Sequence, residues 1–188
     1  MSRLSNTQRL WLYRAAALLL TAALVPLAAV WAAPRLVMQF LLNGPAATAL
    51  QWHNRAAFPP PVTAQSRSVV LPSPDLLYSV CAYDVAKGPV RVQAQPTLSS
   101  YWSIALYGDN SDNFFVLNDR QAGSKPVDLW LVSAGGNLSA SAVPAGAQVV
   151  VTPSSQGFLL MRVLTGNYEA EKAVLEPARR TLSCSPSG

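Results

Sequence analysis

Two patterns of apolar and polar positions divide the chain. From residue 15 to residue 33 the sequence AAALLLTAALVPLAAVWAA runs without a charge, and apart from Trp31 near its end Thr21 is its one hydrogen-bonding side chain. Nineteen helical residues extend about 28 Å, close to the ~30 Å hydrocarbon core of a bilayer. A core helix of this length carries a polar face, and none is present, so the predicted element is a transmembrane helix over 15–33. Beyond residue 67 the pattern changes to short alternating or β-branched runs separated by turn residues. In Val90-Arg91-Val92-Gln93 the period of two is explicit, with valines on one face and polar groups on the other.

Strands are predicted over 76–85, 90–95, 101–107, 114–118, 129–133, 148–152 and 158–165. Lys87-Gly88-Pro89, the 108–112, 123–126 and 153–157 segments, and Gly135-Gly136-Asn137 supply the turns between them. Strands at this spacing predict a mainly β fold, an antiparallel sandwich or barrel. The exception is the tail, 168–182, read as a short C-terminal helix with its acids early and bases late. Pro177 is expected to kink or divide it.

Between these regions, RLVMQFLL (35–42) stays apolar until Asn43-Gly44-Pro45 stops a helix. It can continue the anchor, lie along the membrane surface or pack under the domain. The Ala-rich stretch that follows, with Pro59-Pro60-Pro61, reads as a connector with a stiff extended section. The expected organisation is a cytoplasmic N-terminus (1–14), a membrane span (15–33), a juxtamembrane helix and linker (34–67) and an exported β-rich domain (68–188).

Charge sharpens this division. The chain has net charge +5, yet no Asp or Glu precedes Asp75. Six arginines (Arg3, Arg9, Arg14, Arg35, Arg55, Arg67) belong to the first 67 residues, leaving eight basic against nine acidic beyond them. The basicity therefore belongs to the membrane end, and a near-neutral domain argues against nucleic acid as a partner. Arg3, Arg9 and Arg14 precede the span, and Trp11, Tyr13 and Trp31 flank it. The positive-inside rule places the N-terminus in the cytoplasm and the main domain in the periplasm, held by a bacterial inner membrane. A cleaved signal peptide shares the basic start, but its apolar core is usually about 7–15 residues. Trp31 and Pro34 also interrupt the small-residue pattern a cleavage site needs, so an uncleaved anchor is the reading taken.

Candidate chemistry is sparse. Cys81 and Cys184 are the two cysteines. Outside the cytoplasm such a pair commonly bonds, and the bridge would tie the tail to the sheet; two unpaired thiols are the alternative. The one histidine, His53, falls in the connector, which makes it a poor catalytic base. No nucleotide, dinucleotide or zinc-protease motif is present, and no metal or cofactor is expected. The densest polar cluster is Tyr107-Gly108-Asp109-Asn110-Ser111-Asp112-Asn113-Phe114. It lacks the Gly and Glu of a calcium loop, so a hairpin turn is the simpler reading. Asn137-Leu138-Ser139 matches a glycosylation acceptor of little weight in a bacterial envelope.

Together these segments resemble the bacterial family known as domain of unknown function 1254 (DUF1254). The resemblance rests on Ser73-Pro74-Asp75-Leu76-Leu77-Tyr78-Ser79, Asp84, Gly88-Pro89 and Tyr101-Trp102-Ser103. It continues through Asn113-Phe114, Asn118, Arg120, Gly123, Pro153 and the 158–164 strand. Leu76 stands where family members often carry a polar residue. The resemblance implies a β-sandwich-like fold without assigned chemistry. In longer relatives a second domain, numbered 1214, follows, so a separate DUF1214-type chain is a candidate partner.

The function expected is a non-catalytic binding or assembly role for an anchored envelope domain. The rival is an envelope glycan-binding or glycan-modifying enzyme built on aspartates and aromatics. Candidate binding residues are Asp75, Tyr78, Tyr107, Asp109, Asp112, Asn113, Asn118 and Arg120. Convergence of Asp75, Asp109, Asp112, Asp119 and Arg120 on one pocket would favour the rival.

Overall fold

The structure is a computed structural model that describes residues 5–63, 65–66, 72–136 and 143–187. Arg3, Arg67 and the Asn137-Leu138-Ser139 tripeptide lie outside the described residues. The chain divides into two compact units, Met1–Leu36 and Val37–Gly188.

The first unit is helix α1, which runs Asn6–Asn43 and so continues into the second unit. Pro26 and Pro34 sit inside it without ending it. Thr21 Oγ1 donates to the Ala17 carbonyl at 2.9 Å, which satisfies its hydroxyl within the helix itself. Leu18, Leu27 and Val30 are among many exposed apolar side chains, and this one helix is long and apolar enough to cross a membrane.

The second unit is built on two four-stranded sheets. Its strands are β1 (Leu76–Asp84), β2 (Val90–Ala94), β3 (Trp102–Gly108), β4 (Asn113–Asn118), β5 (Val127–Ser133), β6 (Gln148–Thr152), β7 (Gln156–Leu164) and β8 (Ser183–Pro186). Helices α2 (Pro45–Leu50), α3 (Asp119–Ala122) and α4 (Tyr168–Arg179) complete it. One sheet has the order β1-β7-β3-β4, the other β6-β5-β2-β8. The sheets stay separate, a sandwich and not a closed barrel. The pairing is antiparallel except β5–β6, which is parallel. Helix α4 ends at Arg179, two residues after Pro177 and short of the expected 182, and the tail then enters β8.

Alternation sorts the side chains. In β2, Val90, Val92 and Ala94 are buried while Arg91 and Gln93 face outward. Strand β1 is instead buried almost throughout, because both of its faces are covered. Leu77, Cys81 and Tyr83 enter the core between the sheets with Ile104, Leu106, Leu129, Leu131 and Met161. On the opposite face Val80, Ala82 and Phe158 meet Met38, Leu42, Ala47, Trp52 and Ala57. Trp52 packs edge-on against Phe158 with ring centroids 5.2 Å apart. Burying such side chains contributes about 1.5–3 kcal/mol each, which outweighs the indole N–H of Trp52 that finds no partner among the described residues.

The connector thus packs on the sheet rather than hanging between units. It also covers the outer edge of β1. Asn54 N donates to the Ala82 carbonyl at 2.7 Å, Ala82 N to Trp52 at 2.9 Å, and Ala57 and Val80 exchange bonds of 2.8 and 2.9 Å. Cys81 and Cys184 are bonded, with Cα atoms 6.5 Å apart, so the bridge joins β1 of one sheet to β8 of the other.

Candidate functional site

The polar cluster of the sequence forms the β3–β4 hairpin turn. Gly108 N donates to the Asp112 carbonyl and Ser111 N to the Gly108 carbonyl, each at 3.0 Å. Asn110 Nδ2 donates to Asp112 Oδ2 at 2.5 Å, and Asp112 N donates to Asn110 Oδ1 at 3.2 Å. Asp109 N is fixed by Ser154 Oγ at 3.0 Å, and Asn113 Nδ2 by the Leu106 carbonyl at 3.1 Å. The Tyr107 carbonyl accepts from the Tyr83 hydroxyl at 2.9 Å, and burial pushes that phenol well above its ordinary pKa. Short polar side chains here close a turn on themselves. Among the described residues no group of three His, Cys, Asp or Glu is placed to hold a metal.

The other end of the same hairpin carries Asn118, Asp119 and Arg120. Asn118 caps α3 reciprocally with Gln121, through two bonds of 3.0 Å. Arg120 is exposed, and Asp119 Oδ1 is buried without a partner among the described residues. In register Tyr107 faces Asn113 and Ser103 faces Asn118. The length of β4, about 17 Å, therefore separates Asp109 and Asp112 from Asp119 and Arg120. Paired carboxylates of glycoside hydrolysis stand about 5–9.5 Å apart. Exposed Asp75 lies at the Asn118 end, where its carbonyl accepts from Thr165 N at 2.9 Å. The five residues do not converge.

Two of the candidates, on the opposite edge strands β1 and β4, fall in one row across the sheet. Tyr78, Arg162, Ser103 and Asn118 form one cross-strand row over β1, β7, β3 and β4. Directly opposed residues share a face of the sheet, and here it is the face turned away from the core. The Tyr78 hydroxyl accepts from Ser73 N at 3.0 Å. Ser103 is fully buried, and its Oγ has no partner among the described residues; the same holds for the buried Nε of Arg162. The available signal was a lone arginine inside the apolar run Phe158-Leu159-Leu160-Met161-Arg162-Val163-Leu164.

A second polar feature is a depression of about 440 Å³ beside the β1–β2 turn, lined by His53, Asn54, Asp84, Lys87, Gly88, Pro89, Pro186 and Ser187. It brings a serine, a histidine and an aspartate to one place. A relay would need Asp84 to orient His53, but the Asp84 carboxylate is already engaged. Ala86 N donates to its Oδ1 and Gln156 Nε2 to its Oδ2, both at 2.8 Å. Among the described residues the depression contains no assembled nucleophile.

The other half-buried or buried guanidiniums of this unit are paired with carboxylates. Arg91 forms a fork on Asp128 at 2.9 and 2.7 Å and lies over Trp130. Arg179 pairs with Glu176 and also serves the Tyr78 and Pro59 carbonyls. Burial would raise the Glu176 carboxyl, but Arg179, Tyr168 and Arg180 together hold it below its ordinary range.

Comparison with known proteins fits this architecture. The family described as "Protein of unknown function (DUF1254)" matches residues 53–186. No curated protein matches the chain. The crystal structure of the VPA0106 protein from Vibrio parahaemolyticus is similar at a TM-score of 0.66 and 17% identity, covering 85% of this chain and 37% of that one. A putative uncharacterized protein from Burkholderia cenocepacia gives a TM-score of 0.46 at 15% identity, over 64% of this chain and 34% of that one. The chain thus spans about a third of the length of these solved chains, and the likeness to VPA0106 is one of fold.

Proposed function

The chain belongs to the DUF1254 family, and on that footing we propose that it displays a β-sandwich from a bacterial inner membrane to bind a second envelope protein. The observation that carries this reading is the open part of the β1-β7-β3-β4 face. There Tyr101, Leu164 and Val116 are each more than 40% exposed, and Arg162 Nε has no partner among the described residues. A patch of tyrosine, arginine and aliphatic groups has the composition of a protein interface. The dispersed carboxylates give a glycan-cleaving reading no comparable support. In the Vibrio protein the same fold accounts for 37% of the chain, so it occurs there beside further polypeptide.

The N-terminal apolar helix serves as the anchor, with Arg9 and Arg14 on the cytoplasmic side and the sandwich in the periplasm. A Cys81–Cys184 bridge suits that oxidising compartment. A partner carrying the second domain found in longer relatives is the first candidate. Solubilising native membranes in mild detergent and sizing the tagged chain tests the reading. A stoichiometric complex with one other envelope protein is expected, and recovery of a free monomer alone would overturn it.

A further inference from the structure

We propose that strand β6 is a self-association edge, at which a second copy of this chain adds its own β6 in antiparallel register. The inference goes beyond the docking reading above, concerns the other sheet, and takes only the membrane anchor from it. A sheet edge carries unpaired N–H and C=O groups that template another strand, and folded chains close such edges. Among the described residues three of the four edges are closed. Strand β1 is bonded to the connector at Asn54 and Ala57. Strand β4 is broken by a bulge at Phe114, and the Asn113 side chain donates to the Phe115 carbonyl at 3.4 Å. Strand β8 is four residues long and ends at Pro186, which has no N–H to offer. Strand β6 has none of these devices. It runs Gln148-Val149-Val150-Val151-Thr152 without a charge, a proline or a bulge, in unbroken register with β5. Among the described residues its main chain bonds to β5 alone.

The occupant follows from the side chains. Val150 and Thr152 are buried, whereas Val149 and Val151 on the outer face are 44% and 58% exposed. The strand reads alike in both directions: a polar residue, three valines, a polar residue. About a two-fold axis at Val150 it is complementary to itself, which is what an isologous contact requires. Val149 of one copy then lies opposite Val151 of the other, an aliphatic cross-strand pair on each side of the axis. Gln148 lies opposite Thr152, and no like charges meet. Because both copies use the same edge, the pair closes and leaves neither β6 open. A pairing about 17 Å long covers less than the ~1,200 Å² at which stable interfaces begin. It is therefore a contact between copies held in one bilayer, where confinement raises their effective concentration.

The test uses the full chain in phosphatidylcholine vesicles, with flotation showing that it is held by the lipid. Both native cysteines are in the Cys81–Cys184 bridge, so an introduced cysteine reports alone. Val149→Cys and Val151→Cys carry different tags and are mixed under mild oxidation. A disulfide joining the two tags is expected, because these positions face each other across the axis. Links within either variant alone are not expected, since like positions stand diagonally about 7–8 Å apart, beyond the reach of a disulfide. Val174→Cys, on the exposed side of α4, supplies the collision background. A mixed link no more abundant than the like-residue links or that background would overturn the proposal. So would linkage of Val151→Cys in native membranes only to a different protein. Chain that floats without the mixed link sinks this inference and leaves the docking reading untouched, whereas chain that fails to float sinks the anchor and this inference with it.

Discussion

The guanidinium of Arg179 donates to the carbonyl of Pro59 at 3.0 Å, joining residues 120 positions apart. The same buried group donates to the Tyr78 carbonyl at 2.8 Å and pairs with Glu176 at 2.7 Å. One side chain therefore fastens the connector, β1 and α4 to each other. Arg179→Met removes every one of these bonds and takes the guanidinium donors from the Pro59 and Tyr78 carbonyls, while Glu176 keeps only Tyr168 and Arg180. The expected loss is about 3 kcal/mol, read as a lower urea midpoint. A change within about 0.5 kcal/mol would show that the network contributes little.

Glu176 ties that network to pH. Its folded carboxyl lies below its ordinary value although burial acts the other way, because Arg179, Tyr168 and Arg180 favour the charged form. A depressed folded pKa gives stability that is present above the unfolded value, about 4.3, and lost as pH falls through the folded one. Glu171, lowered by the Thr165 hydroxyl and the Gly166 N–H, acts in the same sense. Tm should fall as pH drops from 5 towards 3, and Glu176→Gln should flatten that fall. An unchanged slope in the variant would remove Glu176 from the account.

Gly157 lies where a Cβ would strike both the Tyr83 hydroxyl and the Tyr107 carbonyl. These two atoms are themselves hydrogen-bonded, so neither can retreat cheaply. Gly157→Ala is expected to destabilise by about 1–3 kcal/mol. The control is Gly166→Ala, whose Cβ meets only Glu171 Oε1, at an ordinary contact distance of 3.6 Å. Equal midpoints for Gly157→Ala and wild type would refute the close-packing argument.

The Cys81–Cys184 bridge closes a loop across 103 positions. Chain entropy alone assigns a loop of this length about 4–5 kcal/mol, and measured losses run about 2–5 kcal/mol. Cys81→Ala with Cys184→Ala should lower the denaturation midpoint accordingly. It should also speed amide exchange in β8, a short edge strand paired to β2 alone. If the midpoint is the same with and without reductant in the wild-type protein, the bridge does not carry that stability.

The strands predicted from period-two patterning match the observed ones to within one or two residues at most ends, because a half-buried strand writes its two faces directly into the chain. Other features have no such trace. Strand β8 is Ser183-Cys184-Ser185-Pro186, too short and polar to alternate, and it exists because β2 offers an edge. Parallel pairing of β5 with β6 depends on the path of the chain between them, which local pattern does not encode. The connector's role was hidden for a related reason. Alanine and proline read as spacer composition, yet Trp52 and Ala57 fill the outer face of β1. At the candidate site, Tyr78 and Asn118 were singled out singly. Their common row through Arg162 and Ser103 appears only once the register of four strands is known.

The wiring around Arg179 and Cys184 also has a consequence in time. Arg179 and Cys184 close upon residues made more than a hundred positions earlier, at Pro59 and Cys81. Contacts of such span slow folding, since the chain must find its ends before their bonds reward it. Until the final helix arrives, the early connector and β1 lack their clasp and present apolar surface. The sandwich therefore closes only once the segment carrying Arg179 and Cys184 has been made. That interval is when the chain is most exposed to aggregation and most dependent on holding factors.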